Sequence, residues 1–230
     1  MNYLNKCLIL FIILSSCCLH RPRQLWVEPI CHSTTERAST IKTLYIKGKV
    51  KLRGLGYGFC GDIYLIAMVP SRLRVDIVGP LWPLSSLAVI KDNFSLLIYP
   101  KGKVYSGNTK FLPVELRDFI YLLGQQTWPV YAEHIVYASD KRDAYYIKSF
   151  NDPLIEEVWL RKDTLRVERI KIRNQKKRGV FEARLSYKGG KVKALKIKVN
   201  RIEIELTYLA IEKNIGIKES AFKLITRLDR

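Results

Sequence analysis

The second half of the chain consists of short runs in which apolar and polar residues alternate, and this pattern constrains the fold more than any other feature. Asn, Asp, Gly and Pro are common in the turns between the runs. A period of two places successive side chains on opposite faces of a strand, as in a sheet with one buried face. Many short strands joined by short polar turns predict an antiparallel β-sheet or barrel. The runs cover residues 144–150, 155–161, 165–172, 180–187, 192–199 and 202–209.

The first half of the chain shows the same alternation, followed by one helical segment. The helix is predicted over 113–123, because Pro113 suits a first helical position and Gly124 suits a helix end. It would cover the open side of the sheet as a lid. A shorter helix is predicted over 33–41. The apolar stripe of the lid helix is Leu116, Phe119, Ile120 and Leu123. The strand-like runs that precede it are 44–53, 59–69, 72–77, 84–90 and 94–99. The fold class is therefore mainly β, an incomplete antiparallel barrel of about eleven strands with a helical lid.

The first residues of the chain are typical of an export signal. Cys7–Leu14 is an apolar run about half as long as the roughly 20 residues that cross a membrane, so a transmembrane anchor is the weaker interpretation. The sequence Leu14-Ser15-Ser16-Cys17 resembles the bacterial lipobox. That resemblance implies a signal peptide over 1–16, cleavage before Cys17 and a diacylglyceryl anchor on the Cys17 thiol. The alternatives are an ordinary secretory signal and an uncleaved anchor.

The residues after the predicted cleavage site indicate a tether and a destination. Residues 17–32 carry Pro22 and Pro29 without a clear period, which predicts a lipidated tether before a single domain over 33–230. Cys18 is not Asp, and by resemblance to the enterobacterial sorting rule this implies the periplasmic face of the outer membrane. Cys31 and Cys60 are candidates for a disulfide in an oxidising periplasm, although their spacing does not establish one.

Basic residues are concentrated late in the chain, which has a formal net charge of +19. Residues 161–201 contain 16 Lys or Arg against three acidic residues. Because an exported protein does not meet nucleic acid, we expect this basic stretch to meet anionic lipid. The alternative is an ordinary solvated strand face.

Nothing in the sequence indicates catalysis, a cofactor or a metal. Hydrolase motifs such as GxSxG and HExxH are absent, and no Cys/His spacing resembles a metal site. His134 has apolar and aromatic neighbours and is more typical of a packed histidine than of a general base. Glu156 and Glu157 are adjacent on a predicted strand, so they would point to opposite faces and could not act as a pair. We therefore expect no enzyme.

The order of elements resembles that of the LolB and LolA family. Residues 72–81 (RLRVDIVGPL) carry the closest likeness, a strand followed by Gly-Pro-Leu, and residues 47–53 and 219–224 also resemble that group. The likeness covers about 40–224. It implies an incomplete β-barrel closed by helices, with an apolar cavity for lipoprotein acyl chains and cargo received from a LolA-like periplasmic carrier. This chain departs from the family pattern in having Trp-Pro at 82–83.

The resemblance also implies site residues. The loop Pro80-Leu81-Trp82-Pro83 would contact the membrane, and Trp is enriched at membrane–water interfaces. The alternative is that Leu81 and Trp82 fold back into the core. Some or all of the cavity residues could likewise be plain core. The cavity would be lined by Leu65, Leu73, Val75, Ile77, Phe94, Leu96, Ile98, Leu116, Phe119, Ile120 and Leu123.

Two functions from different classes remain open. The first is an outer-membrane lipoprotein that binds lipid or lipoprotein acyl chains and delivers them to the membrane. The second is a structural or envelope-assembly lipoprotein with the same fold and no acyl cargo.

Overall fold

The computed structural model describes residues 24–54, 57–109, 114–176 and 180–224 of the chain. Within these residues thirteen strands form one antiparallel sheet, and two α-helices pack on one of its faces. The helices are α1 (Gln24–Ser39) and α2 (Leu116–Gln125). The strands are β1 (Thr43–Gly54), β2 (Tyr57–Met68), β3 (Arg72–Val78), β4 (Pro83–Ile90), β5 (Asn93–Ile98), β6 (Lys103–Asn108), β7 (Ile135–Asp140), β8 (Ala144–Asn151), β9 (Leu154–Arg161), β10 (Val167–Asn174), β11 (Val180–Lys188), β12 (Lys191–Val199) and β13 (Ile202–Lys213).

The strand order shows why the sheet is open. It runs β6-β5-β4-β3-β2-β1-β13-β12-β11-β10-β9-β8-β7. The long first and last strands pair at the centre, and every other neighbouring pair is consecutive in sequence. The edge strands β6 and β7 do not pair with each other in this order, so the sheet does not close into a barrel. The predicted class, an incomplete antiparallel barrel with a helical lid, is confirmed.

The two strands that the sequence pattern missed are the two edges. β6 is exposed along its whole length, and the pairing of β7 is irregular between Ile135 and Tyr137. β6 buries neither face and the irregularity in β7 interrupts its alternation, so neither strand shows an apolar period of two. About eleven strands were therefore expected, and thirteen form.

Helix α1 begins well before the helix expected over 33–41. The tether was predicted over residues 17–32. For residues 24–32 this prediction is wrong, because they form the first half of α1. Residues 17–23 lie outside the described residues. Val27, Ile30 and Cys31 are buried in the core at helical spacing, and Thr34 is buried one turn later. Pro29 was interpreted as a sign of an irregular segment, but it lies inside the helix.

Helix α2 is displaced from the predicted span of 113–123. It begins at Leu116, after Glu115 in extended conformation, and Pro113 lies outside the described residues. Gly124 lies within the helix and does not end it. The helix ends where Gln126 takes a left-handed conformation, with φ of 55°.

The core lies between the helices and one face of the sheet, which we call the inner face. Leu44 of β1 approaches Gly124 of α2 on this side, and the Tyr208 hydroxyl donates to the Leu123 carbonyl over 3.3 Å. The opposite side is the outer face. On β3 the outer face is partly covered by the C-terminal segment, since the Arg74 guanidinium donates to the Ala221 carbonyl over 3.0 Å.

The candidate disulfide does not form, and Cys31 and Cys60 are both free. Cys31 is buried on the inner side of the sheet, whereas Cys60 is exposed and pairs with Lys51 on the outer face. The sheet itself therefore separates the two thiols. Burial raises the pKa of the Cys31 thiol to about 11, so it stays protonated at neutral pH.

Candidate functional site

The strand residues predicted to line a cavity all lie on the inner face. The pairing registers place Leu65 opposite Val75, and Leu73 in line with Val89 and Phe94. In the same way, Val75 stands opposite Leu87, which stands opposite Leu96. Ile77 stands opposite Ser85, which stands opposite Ile98. The inward-pointing positions of the four strands β2–β5 therefore line up with one another. The structure brings these predicted residues together on one surface.

Their burial divides the predicted set into two groups. Leu65 and Leu73 are 3% exposed, and Ile120 and Leu123 of α2 are buried to a similar degree. These four are packed core. The others are only half-buried, although they lie on the same side of the sheet as the helices: Val75, Ile77, Phe94, Leu96, Ile98, Leu116 and Phe119. Cover of the inner face therefore decreases from β2 towards β5, and an apolar surface remains partly open there.

A groove of about 470 Å³ opens beside the start of α2. One wall comes from turns of the first half of the sheet, at 70–71, 91–92 and Thr109. The other wall comes from Val114–Arg117 and from Leu154 of β9. Of the predicted cavity residues, Leu116 lines this groove. The groove thus separates the two halves of the open sheet at the helix that was predicted as a lid.

A polar network that the sequence did not predict lies next to this groove. Arg117 donates to the Asp118 carboxylate over 3.1 Å and to the Tyr131 hydroxyl over 3.0 Å. Burial raises the pKa of Asp118, and Arg117 opposes that shift. A small hollow of about 80 Å³ adjoins the network, and Glu156 and Trp128 also line it. The start of α2 is therefore held by charged groups, not by apolar contacts alone.

Glu156 is the inner-facing carboxyl of this network. It pairs with Ser149 and Ile172 on neighbouring strands, and the Ser149 hydroxyl donates to it over 3.4 Å. Burial raises the pKa of Glu156, against hydrogen bonds from Trp128 and Ser149 that favour its charged form. The residues that meet here come from 115–118, 128–134 and 149–156. No local motif joins these segments, so sequence reasoning had no signal for the site.

The predicted membrane-contacting loop projects from one end of the sheet. Leu81 is 82% exposed and Trp82 is 56% exposed, with Pro80 and Pro83 exposed beside them. The Gly79 amide donates to the Trp82 carbonyl over 2.9 Å, which closes the turn and turns both apolar side chains outward. The alternative that Leu81 and Trp82 return to the core is therefore wrong.

Other turns at the same end of the sheet are basic. Antiparallel strands alternate in direction, so the β3–β4 turn shares its end with the β5–β6, β10–β11 and β12–β13 turns. These turns carry Lys101, Lys176 and Arg201, all exposed, and Lys176 pairs at 3.5 Å with Asp152 of the β8–β9 turn at the same end. The end with the exposed Leu81–Trp82 pair is therefore also positively charged.

The basic residues on the strands of 161–201 lie mainly on the outer face. Ile170 and Ile172 of β10 are buried on the inner face. Their neighbours along the strand, Arg169 and Lys171, therefore point outward. Some charges are paired, as in Arg184–Glu182 at 2.6 Å and Lys196–Glu203 at 3.3 Å. Acidic groups are fewer than cations here, so the outer face keeps a positive surplus.

The residues considered for catalysis do not form a reactive cluster. Glu156 faces inward and Glu157 faces outward, where it pairs with Arg173 at 2.5 Å, so the predicted separation is confirmed. His134 is half-buried and packs edge-on against Tyr131, with 5.9 Å between ring centroids. In the part of the chain that the structure describes, no group of three His, Cys, Asp or Glu is arranged to hold a metal. Within the same part, no helix has the length and hydropathy to span a membrane.

Solved structures with the same fold come from several bacteria. A DUF1329 family protein from Desulfovibrio piger has a TM-score of 0.57 at 12% identity, covering 85% of this chain and 95% of that one. A domain described as an outer membrane lipoprotein-sorting protein from Vibrio parahaemolyticus gives 0.55 at 8% identity, covering 84% and 94%. A LolA superfamily protein from Nitrosomonas europaea gives 0.53 at 9% identity, covering 84% and 97%. No protein-family model and no curated protein sequence matches the chain. The fold is LolA/LolB-like, as the sequence resemblance implied.

Proposed function

We propose that this protein is an envelope lipoprotein that binds the acyl chains of lipids or lipoproteins and delivers them to the outer membrane. The observation that carries the proposal is the half-buried apolar surface on the inner face of β3–β5. An uncovered surface of this kind gains roughly 25 cal/mol for each Å² that an acyl chain removes from water. The LolA/LolB-like fold supports a carrier, and the chain would act by binding and not by catalysis.

The exposed Leu81–Trp82 loop would contact the bilayer during delivery. Trp is favoured at membrane interfaces, and basic residues nearby are attracted to anionic headgroups at about 1 kcal/mol for each charge. The basic stretch 161–201 would add to this attraction from the outer face. A LolA-like periplasmic carrier would supply the cargo.

The anchor would be the diacylglyceryl group on Cys17, which lies outside the described residues. The Cys17→Ser variant should lose labelling by a radioactive fatty acid and leave the membrane fraction. Unchanged labelling would exclude this anchor, and recovery of the wild-type protein with inner membranes would exclude the proposed destination.

Acyl-chain binding is tested on the mature chain from residue 17, with Cys17→Ser to remove its own lipid. A fluorescent fatty acid or a lipidated peptide should bind with micromolar or better affinity. Leu96→Glu, on the inner face of β5, should abolish binding, because it places a charge on the open apolar surface. Asn93→Glu adds the same charge to the exposed, outer side of the same strand and should leave binding intact.

The competing function is a structural or assembly lipoprotein without cargo. It would be favoured if native mass spectrometry of the mature chain found no lipid and no acyl probe bound. Equal loss of binding in Leu96→Glu and Asn93→Glu would also contradict the site proposed on β3–β5.

A further inference from the structure

The two edge strands of the open sheet differ in how they are protected against a further strand. An edge strand offers a row of unpaired backbone groups, and proteins guard such edges with bulges, prolines or charged side chains. β7 has a bulge, because its pairing with β8 shifts between Ile135 and Tyr137, and it ends at Asp140. β6 pairs with β5 in one unbroken register, contains no proline, and has Lys103 as its single charged residue. The edge at β6 is therefore the one that is open to a partner strand.

The backbone groups of Val104 and Ser106 point to the outer edge of β6. The Thr109 amide donates to the Asp92 carbonyl over 2.6 Å, and these two residues continue the β5–β6 register. Hydrogen-bonded pairs in an antiparallel ladder recur at every second residue, so the odd-numbered residues over 103–107 bond to β5. The even-numbered residues then direct their amide and carbonyl groups away from β5. Among the strands that the structure describes, none lies beyond β6 on this side, and the strand is exposed along its whole length.

The half-buried apolar surface of the inner face extends onto this edge. Tyr105 stands opposite Leu96, and Gly107 stands opposite Phe94. The Phe94 ring lies over Gly107, because a Cβ added to the glycine would be 2.7 Å from Cε1 of the ring. A strand added beside β6 would lie about 5 Å from it and about 10 Å from β5. Inward-pointing groups on that strand would therefore reach the surface proposed to hold acyl chains.

We propose that β6 binds the extended peptide that follows the acylated cysteine of a lipoprotein cargo, and that this peptide adds to the sheet as a further strand. The inference rests on the proposed function and deepens it, because it names lipoproteins, and not free lipids, as the substrate class. A row of alternating N–H and C=O groups is complemented by another extended polypeptide, which carries donors and acceptors at the same spacing. The apolar surface beside it is complemented by an acyl chain. A lipoprotein carries both parts on one cysteine.

Three probes separate the peptide from the acyl chain, and their binding is measured on the mature Cys17→Ser chain. They are N-palmitoyl cysteine amide, the same acylated cysteine followed by a peptide as long as β6, six residues, and that peptide without the acyl group. The acylated peptide should bind roughly tenfold more tightly than the acylated cysteine amide, about what one or two net backbone hydrogen bonds contribute. The peptide without the acyl group should bind more weakly than either.

Methyl groups on alternate amide nitrogens of the acylated peptide test whether it binds as a strand. Successive amides of an extended peptide point to opposite sides, so only one alternate set faces β6. Methylation of that set should remove the tenfold gain, whereas methylation of the other set should preserve it. Equal effects of the two sets would overturn the proposal, because a peptide held by side-chain contacts alone has no such preference.

Proline substitutions at the two edges provide a matched pair of variants. Ser106→Pro removes an amide that points away from β5, a position that edge strands tolerate. Ala138→Pro removes an equivalent amide of β7, because the Lys141 amide donates to the Ala144 carbonyl over 3.0 Å and the ladder alternates from there. Ser106→Pro should weaken binding of the acylated peptide roughly tenfold, to the level of the acylated cysteine amide. Ala138→Pro should leave that binding unchanged, and both variants should bind the acylated cysteine amide normally.

The outcomes separate this inference from the carrier function on which it rests. Tight binding of the acylated cysteine amide with no gain from the peptide would overturn the inference alone. Failure of both acylated probes to bind would contradict the carrier function and the inference together. A dimer of the wild-type chain that Ser106→Pro dissociates would assign the β6 edge to a second copy and would also overturn the proposal.

Discussion

Gly124 lies in α2 at a point where no larger side chain fits. A Cβ added there would be 2.5 Å from Cδ1 of Ile41 and 3.0 Å from Cδ1 of Leu44. Both neighbours are almost fully buried, so they have little room to move. The glycine was expected to end the helix. Its role is instead to let the helix approach the first strand closely, which a glycine in a sequence does not reveal.

The close approach at Gly124 predicts a destabilising Gly124→Ala substitution. Helix propensity alone would favour alanine by about 1 kcal/mol, whereas overpacking a core costs about 1–3 kcal/mol. We expect a net loss of roughly 1 kcal/mol in the free energy of unfolding, measured by denaturant titration. In an Ile41→Val background, which removes the clashing Cδ1, the same substitution should become neutral or stabilising. Stabilisation by Gly124→Ala in the wild-type background would contradict the close packing.

Leu81 is exposed, so its removal should affect function and not folding. Leu81→Glu should change the free energy of unfolding by no more than about 0.5 kcal/mol, as surface substitutions usually do. Transfer of bound cargo to membranes should fall while cargo binding persists. A large drop in melting temperature would show that Leu81 stabilises the fold, and normal transfer would remove the loop from the delivery step.

At the scale of elements, the position of α2 depends on groups that come from three parts of the chain. Its N-terminal end is tied to the loop at 128–134 through Arg117 and Tyr131, and it lies beside Glu156 of β9. Its C-terminal end is tied to β10 by the Val167 amide, which donates to the Gln126 carbonyl over 2.8 Å. The predicted lid helix is thus fastened at both ends by hydrogen bonds.

The buried carboxyl of Glu156 gives this region a pH dependence. Its pKa in the folded protein is raised above the ordinary value of 4.5, mainly by burial. The folded state then holds the proton more tightly than the unfolded state, so the stability from this group is present below pH 4.5 and is lost as pH rises through the folded pKa. Glu156→Gln should raise the melting temperature at neutral pH.

That gain should shrink as the pH falls from the raised pKa of folded Glu156 to 4.5, below which both proteins carry a neutral side chain at this position. Asp118 and His134 lie nearby in both proteins, so the comparison largely cancels their contributions. A gain that does not depend on pH would show that ionisation of Glu156 is not its source, and a loss at neutral pH would show that the fold favours the charged form of Glu156.

At the scale of the whole molecule, one sheet presents two surfaces of opposite character. The inner face is apolar and only partly covered on β3–β5, while the outer face carries most strand lysines and arginines. Period-two alternation produces both surfaces at once, because each strand contributes to each face. The proposed carrier would thus hold acyl chains on one face and meet a charged membrane with the other.

This arrangement predicts that membrane binding by the non-lipidated chain depends on salt. Exposed charges are screened beyond about 10 Å at 0.1 M salt and beyond about 3 Å at 1 M. Binding to anionic vesicles, measured by sedimentation, should therefore fall steeply over this range, while uptake of an acyl probe should change little. Salt-independent vesicle binding would leave the basic stretch 161–201 as an ordinary solvated face.

Elements whose pattern is local could be predicted from the residues alone. Alternation along a strand depends on neighbouring residues, so it predicted the central strands and the shared face of Val75, Ile77 and Leu96 without any tertiary information. The membrane-contacting loop at Leu81–Trp82 was implied by the family resemblance, and burial of the two side chains in the core stayed open until their exposure was known. The edge strands β6 and β7 were missed because strands with little burial have no such pattern.

Only the tertiary structure decided how far the inner face is covered and which outer residues stand together. Leu73 on β3 and Leu96 on β5 look alike in the sequence, yet one is packed core and the other is half-buried, because the inner face is covered more fully at Leu73 than at Leu96. Arg169 and Lys171 also look alike, but cross-strand pairing gives one a cation as its neighbour and the other a carboxylate. Burial and pairing join residues that are distant in the chain, and no local pattern encodes either.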